Sequence, residues 1–245
     1  MSAPLLEFGS EIWIGEGPII PFYFGFSYPT RMVVVRLSDG DLFVWSPIPL
    51  SLPMRREVDK LGPVRHLVAP NLLHHLFLAE WKSAYPEARL YAAPGLRRRR
   101  GDLTFDFDLV DTPNPCWAAD LDQVLMRGSV AMTEVVFFHY RSRTVIFADL
   151  IQNLPNGWFK GWRRTLARIA GIVAPNPGAP RDWRASFINR RAARASLERI
   201  LRWPIERALI AHGEPVAVNG SAFVREAFSW LLGRQGDGSA TKATK

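Results

Sequence analysis

Gly62-Pro63-Val64-Arg65-His66-Leu67-Val68-Ala69-Pro70-Asn71-Leu72-Leu73-His74-His75-Leu76 is the stretch on which the fold turns. Gly62-Pro63 is a stop signal, and Val64–Ala69 is a short apolar strand that Pro70-Asn71 ends. Leu76-Phe77-Leu78-Ala79-Glu80-Trp81 then starts a helix, which Tyr85-Pro86-Glu87 closes. Ala88–Ala92 is a second short strand, and residues 54–61 upstream read as a helix. Helix, strand, helix and strand joined by short connections predict a parallel βαβ crossover.

Outward from this unit, Arg31–Leu37 and Leu42–Trp45 flank Ser38-Asp39-Gly40-Asp41, predicting a hairpin over 31–45. Arg97–Arg100 is expected as an exposed loop, followed by strand-like Phe105–Val110. Strands are expected near 124–126, 135–139, 144–147 and 209–211, and helices over 158–170, 189–201 and 223–232. The pattern predicts one α/β domain of layered type over residues 1–235, with a frayed polar tail at 236–245.

The 245 residues carry ample apolar material, 48%, so a disordered chain is excluded. Apolar runs are too short to cross a bilayer, and Cys116, the single cysteine, excludes a Cys-x-x-Cys zinc site. With no leader pattern at Met1–Glu7, the expected address is cytoplasmic. The net charge is +8. Between Pro155 and Arg207 twelve basic residues face three acidic ones, an excess of +9 in that region alone. This favours anionic substrates or surfaces. No zinc-finger spacing, RNP-like strand, P-loop or G-x-G-x-x-G motif is present, so neither specific nucleic-acid binding nor a nucleotide cofactor is expected.

Five histidines are available. His66 and His139 fall in predicted strands and read as structural or surface histidines. The others follow strand ends: His74-His75 after Val64–Ala69, and His212 after Leu209–Ala211, just as Asp149 follows Val145–Ala148. If those strands share a sheet and a direction, their loops gather at one edge, where open α/β sheets bind ligands. Two or three imidazoles and a carboxylate suit one divalent transition metal. Zinc is the expected ion, and Fe2+ fits a two-histidine, one-carboxylate set equally well. His74, His75, Asp149 and His212 are the candidate ligands, and Asp149 and His74 the candidate catalytic groups. Neighbours in a regular helix point about 100° apart, so His74 and His75 can share an ion only from an irregular loop or a first helical turn.

The segment Gly62–Leu76, the strand Thr144–Leu150 and the strand Ala208–Gly213 together resemble three landmarks of the metallo-β-lactamase-like hydrolase superfamily, and the resemblance spans roughly residues 10 to 215. It implies a four-layer αββα sandwich and metal-dependent hydrolysis. The first landmark is degenerate: laid on H-x-H-x-D-H, it has Pro70 and Leu72 at the first two histidines, His74 at the aspartate and His75 at the last histidine. The family's middle histidine should fall near Val130, where there is none, and Glu134 is the nearest substitute. The resemblance therefore implies a divergent branch with at most one metal. A non-catalytic domain that has lost the chemistry is the rival reading.

Trp158, Phe159, Trp162, Leu166 and Ile169 recur at helical steps, with Lys160, Arg163, Arg164 and Arg168 opposite. Three arrangements fit. The adopted one packs the tryptophans on the core; the others are a lid whose arginines hold a phosphate or carboxylate, and a helix resting on an anionic membrane. The expected partner is a small, anionic substrate.

Overall fold

Alternation with period two sorts the apolar side chains into layers. The computed structural model describes residues 5–21, 25–173 and 178–232; the expected tail at 236–245 lies outside them. The strands are β1 (Leu6–Gly9), β2 (Ile12–Pro21), β3 (Ser27–Arg36), β4 (Leu42–Trp45), β5 (Val64–Ala69), β6 (Arg89–Ala92), β7 (Phe107–Asp108), β8 (Leu121–Met126), β9 (Glu134–His139), β10 (Thr144–Asn153) and β11 (Arg207–Gly213). The helices are α1 (Leu52–Leu61), α2 (Leu78–Ala84), α3 (Leu96–Arg99), α4 (Trp162–Ala170), α5 (Arg181–Ala185), α6 (Arg190–Ile200), α7 (Gly220–Ala227) and α8 (Ser229–Leu232).

Strands β1 to β7 form one sheet in sequence order, and a second sheet runs β11-β10-β9-β8. Val33, Val35, Phe43, Trp45 and Val68 on one sheet meet Val135, Phe137, Ile146, Ala148, Leu209 and Ala211 on the other. Their neighbours in sequence point outward. Val34, Leu42, Val44 and Leu67 pack under Met54, Val58, Leu78, Trp81 and Leu96 of α1–α3. Val136, Phe138, Phe147 and Ile210 pack under Ala193 and Leu197 of α6, Val224 of α7 and Phe228 between α7 and α8. Helix, sheet, sheet, helix is the four-layer αββα order.

β3 and β4 are antiparallel as the hairpin reading requires, and β5 and β6 are parallel. The metal-candidate strands do not share a sheet: β5 lies in the first, while β10 and β11 run parallel in the second. What joins them is the facing of the two sheets. Arg97–Arg100 is not a bare loop; its first three arginines belong to α3, and Arg97 holds Asp108 at 2.7 Å and the Phe105 carbonyl at 2.6 Å. His66 and His139 are buried, bonded to the Tyr91 hydroxyl (2.9 Å) and the Ser142 hydroxyl (2.8 Å).

Candidate metal centre

The site is built on a break in the β10–β11 ladder. Thr144–Phe147 pair one to one with Arg207–Ile210, and pairing resumes at Gln152 with His212. Five steps along β10 therefore match two along β11, so the intervening backbone bulges out. Buried N–H groups on one side of the break and carbonyls on the other need other partners. Glu134, fully buried at the start of β9, takes the N–H of Ala148 at Oε1 (2.8 Å), and those of Asp149 (2.8 Å) and Leu150 (3.2 Å) at Oε2. Burial, then the charge of Asp149, pushes the Glu134 carboxyl up, while these donors pull the other way. Arg31, buried on β3, donates from Nη1 to the carbonyls of Ile210 (2.6 Å) and Gly213 (2.8 Å), with Glu16 at 2.6 Å neutralising it.

The bulge carries Asp149. Opposite it, His74 comes from the loop after β5, which Asn71 shapes by accepting the N–H of Leu73 (2.9 Å) and of His74 (3.2 Å) at its Oδ1. The Asn71 amide nitrogen donates to Asp149 Oδ2 at 2.8 Å and to Glu134 Oε2 at 3.1 Å. His212 is the penultimate residue of β11. Gly213 after it has φ +115°, and a Cβ there would collide with the Asn153 carbonyl, so glycine is required for the turn. His74 Nε2 lies 3.2 Å from Asp149 Oδ2, and His212 Nε2 lies 3.1 Å from Oδ1. One ligand atom from each of the three falls within 4.8 Å of the others. Their side chains are only 7%, 8% and 10% exposed for His74, Asp149 and His212.

The second ring nitrogens decide what the first can do. His212 Nδ1 is 2.7 Å from the Pro29 carbonyl, which can only accept, so Nδ1 carries the proton. In the neutral ring Nε2 then aims a lone pair at a carboxylate oxygen that is also an acceptor. Two acceptors at 3.1 Å repel unless a proton or a cation lies between them. His74 Nδ1 is held at 2.7 Å by the hydroxyl of Ser46, a non-glycine residue at φ +50°. Trp45 stacks on His74 and Tyr28 packs on His212, with ring centroids 5.8 and 5.3 Å apart. Burial alone would raise the Asp149 carboxyl, but the charge and hydrogen bonds of the two imidazoles outweigh it and hold it well below the usual carboxylate range. Two oriented imidazoles, a carboxylate and a second layer fixing each of them form a donor set suited to one divalent metal ion.

Three of the four candidate ligands thus meet. The fourth, His75, does not: its Nδ1 takes a hydrogen bond from Arg100 at 3.0 Å, and Arg100 also grips its carbonyl at 2.9 Å. Adjacent side chains diverge, so the chain presents one of the pair, and it is His74. Pro70 supplies a carbonyl to the N–H of Val135 at 2.8 Å, and Leu72 packs on the α1–α3 layer, so the degenerate positions are structural. Glu134 anchors the bulge and bonds to Asn71 and three backbone N–H groups. Ser46, Asn71, Arg31 and the Pro29 carbonyl escaped the sequence reading. The traceable signal was a charged residue opening an apolar strand, at Arg31 and again at Glu134.

Residues 20–166 match a family described as a domain of unknown function, DUF4336. No curated protein matches the chain. Among solved structures, a metallo-β-lactamase from Pontibacter korlensis is 11% identical, with 96% of this chain and 100% of that one covered and a TM-score of 0.61. FIM-1 from Pseudomonas aeruginosa, a metallo-β-lactamase in its mono-zinc form, is 12% identical over 94% of this chain and 96% of its own, at 0.59. The metal-soaked flavodiiron core of Flv1 from Synechocystis is 10% identical over 96% of this chain and 62% of its own, at 0.60. With more than half its length inside the family match and its architecture shared with these structures, the chain belongs to the DUF4336 family, a divergent branch of the metallo-β-lactamase fold.

Proposed function

We propose that this protein is a mononuclear metal-dependent hydrolase in which His74, Asp149 and His212 hold one Zn2+ or Fe2+, acting on an anionic ester, amide or phosphoester. The observation that carries this is the His212 ring. Its Nδ1–H is committed to the Pro29 carbonyl, so Nε2 faces the Asp149 carboxylate at 3.1 Å, a gap that a proton or a cation must bridge. When bound, such an ion supplies a nucleophile from water at neutral pH and polarises a carbonyl or phosphoryl oxygen. The chain's own residues supply orientation. Asn71 fixes Oδ2 of Asp149, Ser46 fixes the His74 ring, and Glu134 and Arg31 fix the backbone beneath. Both Asp149 oxygens are engaged, which favours ligand over general base as its role. The mono-zinc form of FIM-1 supports single-ion occupancy on this scaffold.

The enclosure of the cluster favours a second reading, a domain that keeps the ion or its empty cradle as a structural element without turnover. Elemental analysis of purified protein, with a panel of chromogenic esters, amides and phosphodiesters, separates the two. Hydrolysis that requires about one ion per chain, with both lost in His212→Ala, is expected. A protein that holds the ion and turns over nothing fits the second reading, and a metal-free protein whose stability ignores chelators sinks the first.

A further inference from the structure

Helix α4 turns its apolar side the wrong way for a core helix. Trp162, Leu166 and Ile169 lie in one row at the helical step of about 100°, and they are 56%, 45% and 55% exposed. The expectation that the apolar residues of this segment pack on the core is met by Trp158 and Phe159 and not by Trp162, Leu166 and Ile169. The body instead receives a second face, made of buried Ala167 with half-buried Arg163 and Ala170. The reason is that the space beneath is already filled. Phe159, Leu154, Ile172 and Val173 pack there with Phe26 and Tyr28, and Trp158 is tied by its Nε1 to the Ser27 carbonyl at 2.9 Å. A third face carries exposed Arg164 and Arg168, and Lys160 stands just ahead of the helix. Among the described residues none of these three forms an ion pair, and Arg168 reaches only the Asn156 side-chain oxygen, at 3.1 Å. No acidic residue occurs between Pro155 and Arg181.

We infer that α4 is a docking surface for an anionic lipid bilayer. Its apolar row enters the boundary between headgroups and acyl chains, and its arginines bind lipid phosphates and carboxylates. An apolar row holding a tryptophan, backed by a cationic face, matches the amphipathic profile of such a boundary. Lys160, Arg164 and Arg168 form no ion pair among the described residues, and anionic headgroups complement this charge. Three side chains are too small a patch for a stable protein interface, while a bilayer adds an electrostatic contribution from every nearby cation. Rings run from Trp162 to Phe26, Phe159, Tyr28 and His212 at centroid steps of 6.2, 4.9, 6.0 and 5.3 Å, so a line of rings links this surface to the candidate metal centre. The inference stands without any ion in that centre.

Co-sedimentation of the full chain with phosphatidylcholine vesicles, with and without phosphatidylserine, tests it. Binding should require phosphatidylserine and weaken as salt rises. It should fall about tenfold or more in Arg164→Glu/Arg168→Glu and likewise in Trp162→Ser/Ile169→Ser, with unchanged circular dichroism. Light scattering on the same proteins reports self-association. No binding to anionic vesicles by the unmodified chain overturns the inference, as does binding that both variants retain. A dimer that dissociates in the Trp162→Ser/Ile169→Ser variant would assign the surface to a second copy and overturn it equally.

Discussion

Glu134 and Arg31 serve the two sides of one break. The carboxylate collects the N–H groups that β10 loses at its bulge, and the guanidinium collects carbonyls of β11. Asp149 and His212 are held on the two strands that separate there, so the same discontinuity that costs ladder hydrogen bonds opens the space in which these two candidate ligands meet. A regular ladder would pair these strands throughout and leave no such space.

Removing either partner leaves buried backbone groups unpaired. Glu134→Ala and Arg31→Met should each destabilise the fold by about 3 kcal/mol in urea unfolding. The double variant should lose less than the sum, because both residues support one bulge. Full additivity would mean that the two act on independent features.

Metal content should separate the adjacent histidines. His75→Ala should keep the ion, since that ring is committed to Arg100, whereas His74→Ala should lose it. Ser46→Ala, which frees the His74 ring, should weaken affinity about tenfold or more in a chelator competition while costing about 1 kcal/mol of stability. Loss of the ion in His75→Ala with His74→Ala unaffected would reverse the assignment.

Gly213→Ala tests the turn behind His212. The added methyl collides with the Asn153 backbone at a φ that disfavours alanine. A loss of about 2 kcal/mol or more is expected in thermal unfolding, together with reduced metal affinity, because His212 must shift with the strand end. Unchanged stability would mean that this turn relaxes freely.

Acid should destabilise the protein through His66 and His139. Burial, the leading cause in both, lowers each imidazole to about 4 from an ordinary 6.5. Between those values the unfolded chain binds protons that the folded chain refuses, so stability is full at neutral pH and declines as pH falls from about 6.5 toward 4. Each histidine contributes a slope of about 1.4 kcal/mol per pH unit within that window. In unfolding measured across this range, His139→Gln should remove one such increment, and an unchanged slope would show that this ring charges freely in the folded state.

The sequence by itself determined the layers and most of the elements. Period two in β3, β4, β10 and β11 names which side chains face the centre, and Gly62-Pro63 and Pro70-Asn71 mark the crossover strand. It also supplied the pool of ligand-type residues, because each follows an apolar strand. Arg31 and Glu134 interrupt apolar patterns and were legible as exceptions, without any indication of what they bind. Only the tertiary structure decided which residues share the site. His74 rather than His75 was chosen by the turn that the Asn71 side chain imposes on the backbone and by the Arg100 hydrogen bond to the His75 ring, neither of which local periodicity encodes. The same holds for α4: its amphipathic pattern was plain, but whether the apolar face lies inward depends on what already fills the space beneath it, and Phe159, Phe26 and Tyr28 had filled it. Periodicity records that a face is apolar; the direction it points is settled by competition for burial among residues distant in the chain.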